Sequence, residues 1–289
     1  MTVLGVDIGG TKIAAGVVAD NAEVLRTVTV PTRASEGYEV SIGQVYKAVE
    51  ECLDGDVAAI GICSPGPLNP KTGVVLHTPN LPWRNVPLAE LVGQRFHLPC
   101  KVDNDANAAG LAEALFGAAR GYSSVFYVTL STGIGTGIVL DRKIYHGKNG
   151  FAAEGGHVTV DYRSPLVCNC GNIGCIEAYS SGTAIEKRFG VRAEELARGV
   201  EAGDPTALQR LDEICLALGA WLGSMISLLD PDVIVIGGGV ARIGDPLFER
   251  LRRITPTRTI NPFAADTPIV PAALGDNVGI LGAAALVLA

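Results

Sequence analysis

The sequence predicts an α/β protein with two lobes built on one plan, and three features predict it. Val3 to Val30 reads as strand, glycine turn, strand, Asp20-Asn21 turn and strand, with β-branched residues alternating or running on as they do in buried strands. Val125 to Leu130, the turn Ser131-Thr-Gly-Ile-Gly-Thr136, Gly137 to Leu140, the Asp141-Arg142 turn and Lys143 to Tyr145 repeat that rhythm with little identity. A chance likeness of two hairpins is the alternative. Apolar strands also run towards helices: Val102-Asp103 precedes the Ala-rich helix Ala108 to Phe116, and Asp232 to Ile236 runs into Gly237-Gly-Gly-Val240.

With 289 residues, 48% of them hydrophobic, the chain has material for one large or two medium domains and is neither disordered nor fibrous. A net charge of −7 offers no broad basic surface, so neither nucleic acid nor anionic lipid is an expected partner. Met1 to Val6 enters a strand without a basic leader or small-residue cleavage site, which predicts a cytoplasmic protein. The apolar run Ile214 to Leu229 falls short of the roughly 20 residues of a membrane span and predicts a buried helix. Cys52, Cys63, Cys100 and Cys215 lie among apolar neighbours, as reduced thiols serving as small hydrophobes do, and no disulfide is expected.

The first turn, Asp7-Ile-Gly-Gly-Thr-Lys12, has the parts of a phosphate and magnesium site. Gly9 and Gly10 let backbone amides approach phosphate oxygens, Thr11 and Lys12 can contact terminal phosphates, and Asp7 can hold Mg²⁺ directly or through water. Alone, a Gly-Gly hairpin turn is more often only a turn. The second turn offers Thr132 and the amides around Gly133 and Gly135, so two such loops could grip one chain of phosphates. Its Gly-x-Gly-x-Gly string is followed by a strand, whereas a dinucleotide fingerprint requires a helix there, which disfavours a Rossmann oxidoreductase.

Three of the seven cysteines, Cys168, Cys170 and Cys175, fall in eight residues of a Gly-rich stretch, with His157 just upstream. They supply the four N/S ligands of a closed tetrahedral zinc site. Chance clustering of buried thiols is the alternative. With all four positions filled, such a zinc would be structural: it stiffens a loop poor in large apolar side chains and leaves no open position for catalysis. Upstream, Asp103-Asn104-Asp105-Ala-Asn107 marks a strand-to-helix junction. Helix capping explains one of these residues but not four polar residues in five.

The ungapped stretch from Glu154-Gly-Gly-His157 to Cys168-Asn-Cys170-Gly-Asn-Ile-Gly-Cys175-Ile-Glu177 resembles the signature of the ROK proteins (repressors, unannotated reading frames and sugar kinases), and the other motifs extend that resemblance over nearly the whole chain. The resemblance implies an actin-like ATPase (ribonuclease H-like) fold, with two lobes around an interlobe active-site cleft. It implies ATP-dependent phosphorylation of a hexose, and the Glu-Gly-Gly-His form with the Pro-Asn-Leu-Pro-Trp83 loop tilts this towards the 6-hydroxyl of glucose. Phosphoryl transfer to a hydroxyl needs a carboxylate to take its proton, and Asp105 matches the family's base.

By the same resemblance, Asn104, Asn80 and the backbone near Gly66 contact the sugar, as do Glu154, His157 and Glu177. His157 would give one ring nitrogen to zinc and the other to the sugar. Gly238 and Gly239 would lie against the adenosine of ATP, although a plain strand-to-helix turn fits them equally well. Trp83 serves equally well as a packing residue. Thr136 departs from the glycine common in relatives. The small lobe is expected to span residues 1–110 plus the last helix, Asp276 to Leu288 (276–289), and the large lobe 111–275. The passage Arg250 to Pro262 has no assigned chemistry and predicts a solvated surface or a subunit contact. A homodimer or homotetramer follows the family habit. Kinases of N-acetylmannosamine, N-acetylglucosamine or another hexose are the nearest alternative, since an acetamido group is a modest change to a pocket. A sugar-sensing regulator is disfavoured, because no helix-turn-helix or basic recognition helix is visible.

Overall fold

The structure is a computed structural model that describes residues 1–78 and 80–289; Pro79, in the expected sugar loop, lies outside the described residues. It opens with the anticipated meander of β1 (Thr2–Ile8), β2 (Lys12–Ala19) and β3 (Val24–Pro31). Helix α1 (Tyr38–Cys52) and β4 (Val57–Ser64) lead to a small sheet of β5 (Leu68–Asn69), β6 (Val74–His77) and β7 (Arg84–Pro87). Then come α2 (Leu88–Phe96), β8 (Cys100–Asn104) and α3 (Asp105–Phe116). The second hairpin forms β9 (Ser124–Leu130), β10 (Ile134–Leu140) and β11 (Lys143–Ile144). After a long irregular segment follow α4 (Glu177–Ser180), α5 (Gly182–Phe189), α6 (Ala193–Glu201) and α7 (Pro205–Leu229). The chain continues through β12 (Val233–Gly237), α8 (Asp245–Ile254), β13 (Ile269–Pro271) and α9 (Val278–Leu288).

The two large sheets have matching strand orders, β3-β2-β1-β4-β8 and β11-β10-β9-β12-β13. In the first, β1 pairs antiparallel with β2 and parallel with β4, which pairs parallel with β8. In the second, β9 and β13 flank β12 in parallel, and β10 pairs antiparallel with β11. Asp7 and Thr129 therefore stand at equivalent places, and the repeat read from the hairpins is a repeat of topology.

The chain divides into two compact units, residues 1–121 with 137–152 and 273–289, and residues 122–136 with 153–272. The edges differ from the expected lobes, 1–110 plus 276–289 and 111–275, chiefly in segment 137–152. That segment groups with the first unit because Gly137 packs on Ala106 and Asn107, His146 bonds Asp103 and Gly150 lies on Pro70. In the first unit Leu4, Val6, Ile8, Ile60 and Ile62 are at most 1% exposed, and burying each such side chain contributes about 1.5–3 kcal/mol. Trp83 belongs to this core, 1% exposed, and its indole N–H donates to Ser41 Oγ at 2.8 Å, so it packs. Helix α9 presses onto the sheet so closely that a Cβ at Gly61 would lie 1.8 Å from Ala283 O, a place only glycine can hold.

In the second unit α7 begins earlier than the apolar run suggested. Pro205 opens it and Asp204 caps it, the carboxylate accepting from Ala207 N at 2.7 Å. At 25 residues α7 has the length and composition to cross a bilayer, but 56% of its apolar window is buried in the protein, with Trp221 packed on Phe126 at 5.7 Å between ring centroids. The Arg250 to Pro262 passage is partly structural: Arg250 pairs with Asp212 at 2.6 Å, and Arg252 donates to Ile269 O at 2.9 Å. Among the described residues all seven cysteines are free thiols.

Candidate active site

The predicted site residues form two constellations, one in each unit. In the first unit, parallel pairing of β1, β4 and β8 lines up Asp7, Cys63 and Asp103 across the sheet and carries Ser64 beside Asn104 at the carboxyl ends of the strands. Ligands of open α/β sheets collect at such ends. The Gly9-Gly10 turn is closed by Gly9 N donating to Lys12 O at 2.9 Å, and it leaves Thr11 and Lys12 exposed. Asn80 reaches this turn: a Cβ on Gly10 would lie 2.9 Å from Asn80 Cβ. The half-buried Asp7 accepts from the Cys63 thiol at 3.4 Å. Burial pushes the Asp7 carboxyl up, while the Cys63 hydrogen bond and the Lys12 charge pull it back. A hard dication beside this partly desolvated carboxylate would offset the cost of its charge, so the oxygen donor fits magnesium.

The β8-to-α3 junction separates the roles of its polar residues. Asn104 is the helix cap, its Oδ1 accepting from Ala106 N at 2.9 Å and Asn107 N at 3.3 Å, which leaves the amide nitrogen for a ligand. That nitrogen lies 3.6 Å from where a Gly66 Cβ would stand, bringing the expected Gly66 and Asn104 together. Asp105 is exposed, and its Oδ1 accepts from Ala106 N at 2.8 Å. Asp103 is 4% exposed and fully engaged: Oδ1 accepts from Asn104 N at 2.7 Å and Asn107 Nδ2 at 3.1 Å, and Oδ2 meets His146 Nε2 at 2.6 Å.

In the second unit the ligand atoms of His157, Cys168, Cys170 and Cys175 all lie within 4.8 Å of one another. Cys168 Sγ is 3.6 Å from His157 Nδ1, and Cys170 Sγ is 3.8 Å from Cys175 Sγ. A tetrahedron with Zn–S bonds of about 2.3 Å has S···S edges of about 3.8 Å, so the donor set fits zinc. Burial first, then the Cys170 side chain and the charges of Glu177 and Cys175, push the Cys168 thiol up to about 12, a penalty that a bound dication reverses by holding the ligand as thiolate. With Nδ1 turned to the cysteines, His157 keeps Nε2 for another partner.

Glu177, at the start of α4, does more than the sequence suggested. Its Oε2 accepts from Ile134 N in the second glycine turn at 2.9 Å, and its Oε1 faces Cys168 Sγ at 3.5 Å. Glu154 is exposed one turn ahead of the half-buried His157. Thr132 and Gly239 line one cavity of about 230 Å³ together with Ser131, Thr183, Glu186 and Arg192. Gly238 takes φ 92° where a Cβ would lie 2.4 Å from Leu130 O, so this strand end needs a glycine.

The family model of the ROK family matches residues 3–289. The chain belongs to the ROK family. This ROK protein has the actin-like ATPase fold, and it is 35% identical over 309 residues to a glucokinase of Thermotoga maritima, covering 99% of this chain and 97% of that one. A crystal structure of a ROK family glucokinase from Streptomyces griseus, in complex with glucose and AMPPNP, matches with a TM-score of 0.85 at 35% identity over 99% of both chains. The ROK hexokinase of Thermus thermophilus matches with a TM-score of 0.84 at 37% identity, over 99% of this chain and 97% of that one.

Sequence reasoning missed several neighbours of the candidate site in this ROK protein. Cys63 was expected only to fill space, yet its thiol donates towards Asp7 and towards Gly279 O, at 3.4 and 3.3 Å. Full burial and the charges of Asp7 and Asp105 hold that thiol well above its ordinary range. Thr183, Glu186 and Arg192 carried no signal, because surface-helix residues look alike in one sequence. Parallel register with β1 was the only available pointer to Cys63.

Proposed function

We propose that this ROK protein transfers the terminal phosphoryl group of ATP to the 6-hydroxyl of glucose, with Asp105 as general base. The carrying observation is the junction at the end of β8, where the Asn104 carboxamide oxygen caps α3 and the neighbouring Asp105 carboxylate is exposed, in the same unit as the Gly9-Gly10 turn. Asp105 takes the hydroxyl proton as O6 bonds to the γ-phosphorus and the bond from that phosphorus to the ADP oxygen breaks. The proton then passes to solvent and no covalent enzyme intermediate is needed.

The remaining roles follow the chemistry of the groups. Gly66, Asn80 and the Asn104 amide contact sugar hydroxyls, as do Glu154, His157 Nε2 and the free lone pairs of Glu177. Gly9, Gly10, Thr11 and Lys12 contact phosphate, as do Thr132, Gly133 and Gly135, while Gly238 and Gly239 leave room for adenosine. Asp7 would hold Mg²⁺, which neutralises phosphate charge, and His157, Cys168, Cys170 and Cys175 would hold a structural zinc that cross-links the loop. The glucose- and AMPPNP-bound relative supports the substrate pair. We place the reaction in the cytoplasm, in a homodimer or homotetramer; light scattering on the purified protein reads the latter.

ADP release with Mg²⁺ and ATP, measured across glucose, mannose, fructose, N-acetylglucosamine and N-acetylmannosamine, is expected to be highest on glucose. Preference for an acetylated sugar would replace the substrate and keep the mechanism. Asp105→Asn is expected to lose at least a hundredfold in kcat, and retained turnover would remove Asp105 from the role of base.

A further inference from the structure

The Asp103–His146 pair opens onto a cavity for which the reaction above has no use. This cavity of about 470 Å³ lies wholly within the first unit, beside β8, the edge strand of its sheet. Leu111, Leu115, Ile144, Leu286 and Leu288 give it an apolar floor. Lys101, Arg142 and Lys143 stand at its rim, all exposed. Among the described residues, none of these three side chains makes an ion pair or a hydrogen bond. Asp103 and Asp141 line the cavity too, so its three cationic side chains outnumber its two carboxylate side chains. An apolar concavity of this size with a few convergent polar groups has the anatomy of a small-molecule site. Lysine and arginine without partners at such a mouth suit a phosphate or a carboxylate, which they bind by charge-assisted hydrogen bonds.

A second observation connects the cavity to the β8-to-α3 junction. His146 lines it and is bonded at 2.6 Å to Asp103 Oδ2, while Asp103 Oδ1 holds the backbone N–H of Asn104 and the side chain of Asn107. Asn107 Oδ1 is buried with no hydrogen-bond partner, so the network has one unmet acceptor and a shift of Asp103 is felt directly. A molecule that pulls on His146 thus acts on the backbone one residue before Asp105, through a single buried carboxylate. We propose that this cavity is a second ligand site, taking an amphipathic anion with a phosphate or carboxylate head and an apolar body, and that its occupant adjusts the catalytic junction through His146 and Asp103. The regulatory half rests on the kinase reading; the binding half stands without it.

The test uses 2-naphthyl phosphate as probe, titrated calorimetrically into the full chain with glucose, AMPPNP and Mg²⁺ at saturation to block the substrate sites. One probe molecule is expected to bind per chain. Its dissociation constant is expected to rise at least tenfold in the double variant Arg142→Glu/Lys143→Glu, whose glucose turnover without probe stays within twofold of the parent. The probe is expected to shift kcat or KM for glucose at least threefold in the parent, and not in His146→Gln with probe still bound. Absence of binding, unchanged affinity in the charge-reversed variant, or equal affinity for neutral 2-naphthol would overturn the site. A turnover that ignores bound probe in the parent, or a shift that survives in His146→Gln, would overturn the coupling. Calorimetry reads the same way whether or not glucose is phosphorylated, so failure of the kinase reading and failure of the site are separate results.

Discussion

Thr136 is 4% exposed, and its hydroxyl sits between two backbone groups of the segment that carries Glu154 and His157. It donates to Ala153 O and accepts from Gly155 N at 2.9 Å. Thr136 is therefore a pin from β10 to the proposed sugar-binding segment. Thr136→Val keeps the shape and strands both backbone groups, which costs about 1–3 kcal/mol for each buried polar group left unpaired. We expect the valine variant to show a lowered melting temperature and a raised KM for glucose, with Thr136→Ser restoring both; equal kinetics for valine and parent would make the pin merely structural. This contact was not legible in the sequence, and neither were the Cys63–Asp7 bond, 56 residues apart, or the His146–Asp103 bond, 43 apart. Each depends on strand register or loop path. Asp7, Asp105 and the four zinc-type ligands could be nominated as candidates because their residue types lie within short local strings.

The segment between β11 and α4 has no long element of its own, and among the described residues its ladder is reduced to two isolated bridges, Thr159 with Cys175 and Val167 with Ile173. The four ligand atoms gathered there are what can hold it in one shape. One zinc per chain is expected by elemental analysis, with Cys168→Ser losing it. Removal should bring proteolytic cleavage within 158–176 and, because Glu177 joins the cage to Ile134, weaken the affinities for both sugar and nucleotide several-fold. A zinc-free parent with unchanged kinetics would refute this. The hairpins around this segment were readable because β-branched runs and glycine turns are strong local signals. The small sheet β5–β7 was not, since strands of two to four residues have too few positions to show a period. Helix α7 was half read: its apolar core showed, but its polar first turns were recognisable only by the Asp204-Pro205 start.

At the scale of the whole molecule, stability and topology carry their own consequences. Burial pushes the Cys215 thiol up to about 12 and Cys63 well above the ordinary range. An unfolded chain releases these protons near pH 8.5, so their contribution to stability is full below that value and is lost as pH rises towards the folded value. The urea midpoint of the parent should therefore fall towards that of Cys215→Ala between pH 8.5 and 11; a constant gap would show that the thiol does not titrate differently in the two states. The sequence revealed the duplicated plan, because both meanders follow the same strand and turn order, but it misplaced the unit edges, which depend on which strands the segment 137–152 packs against. Helix α9 fills the face of the first sheet that Gly5 and Gly61 leave open, with their α-carbons against Ile280 O and Ala283 O. During synthesis, residues 1–121 leave the ribosome long before residues 278–288. The first strands made must wait with an uncovered apolar face while residues 122–272 are translated, and that interval is when this chain has most need of a chaperone.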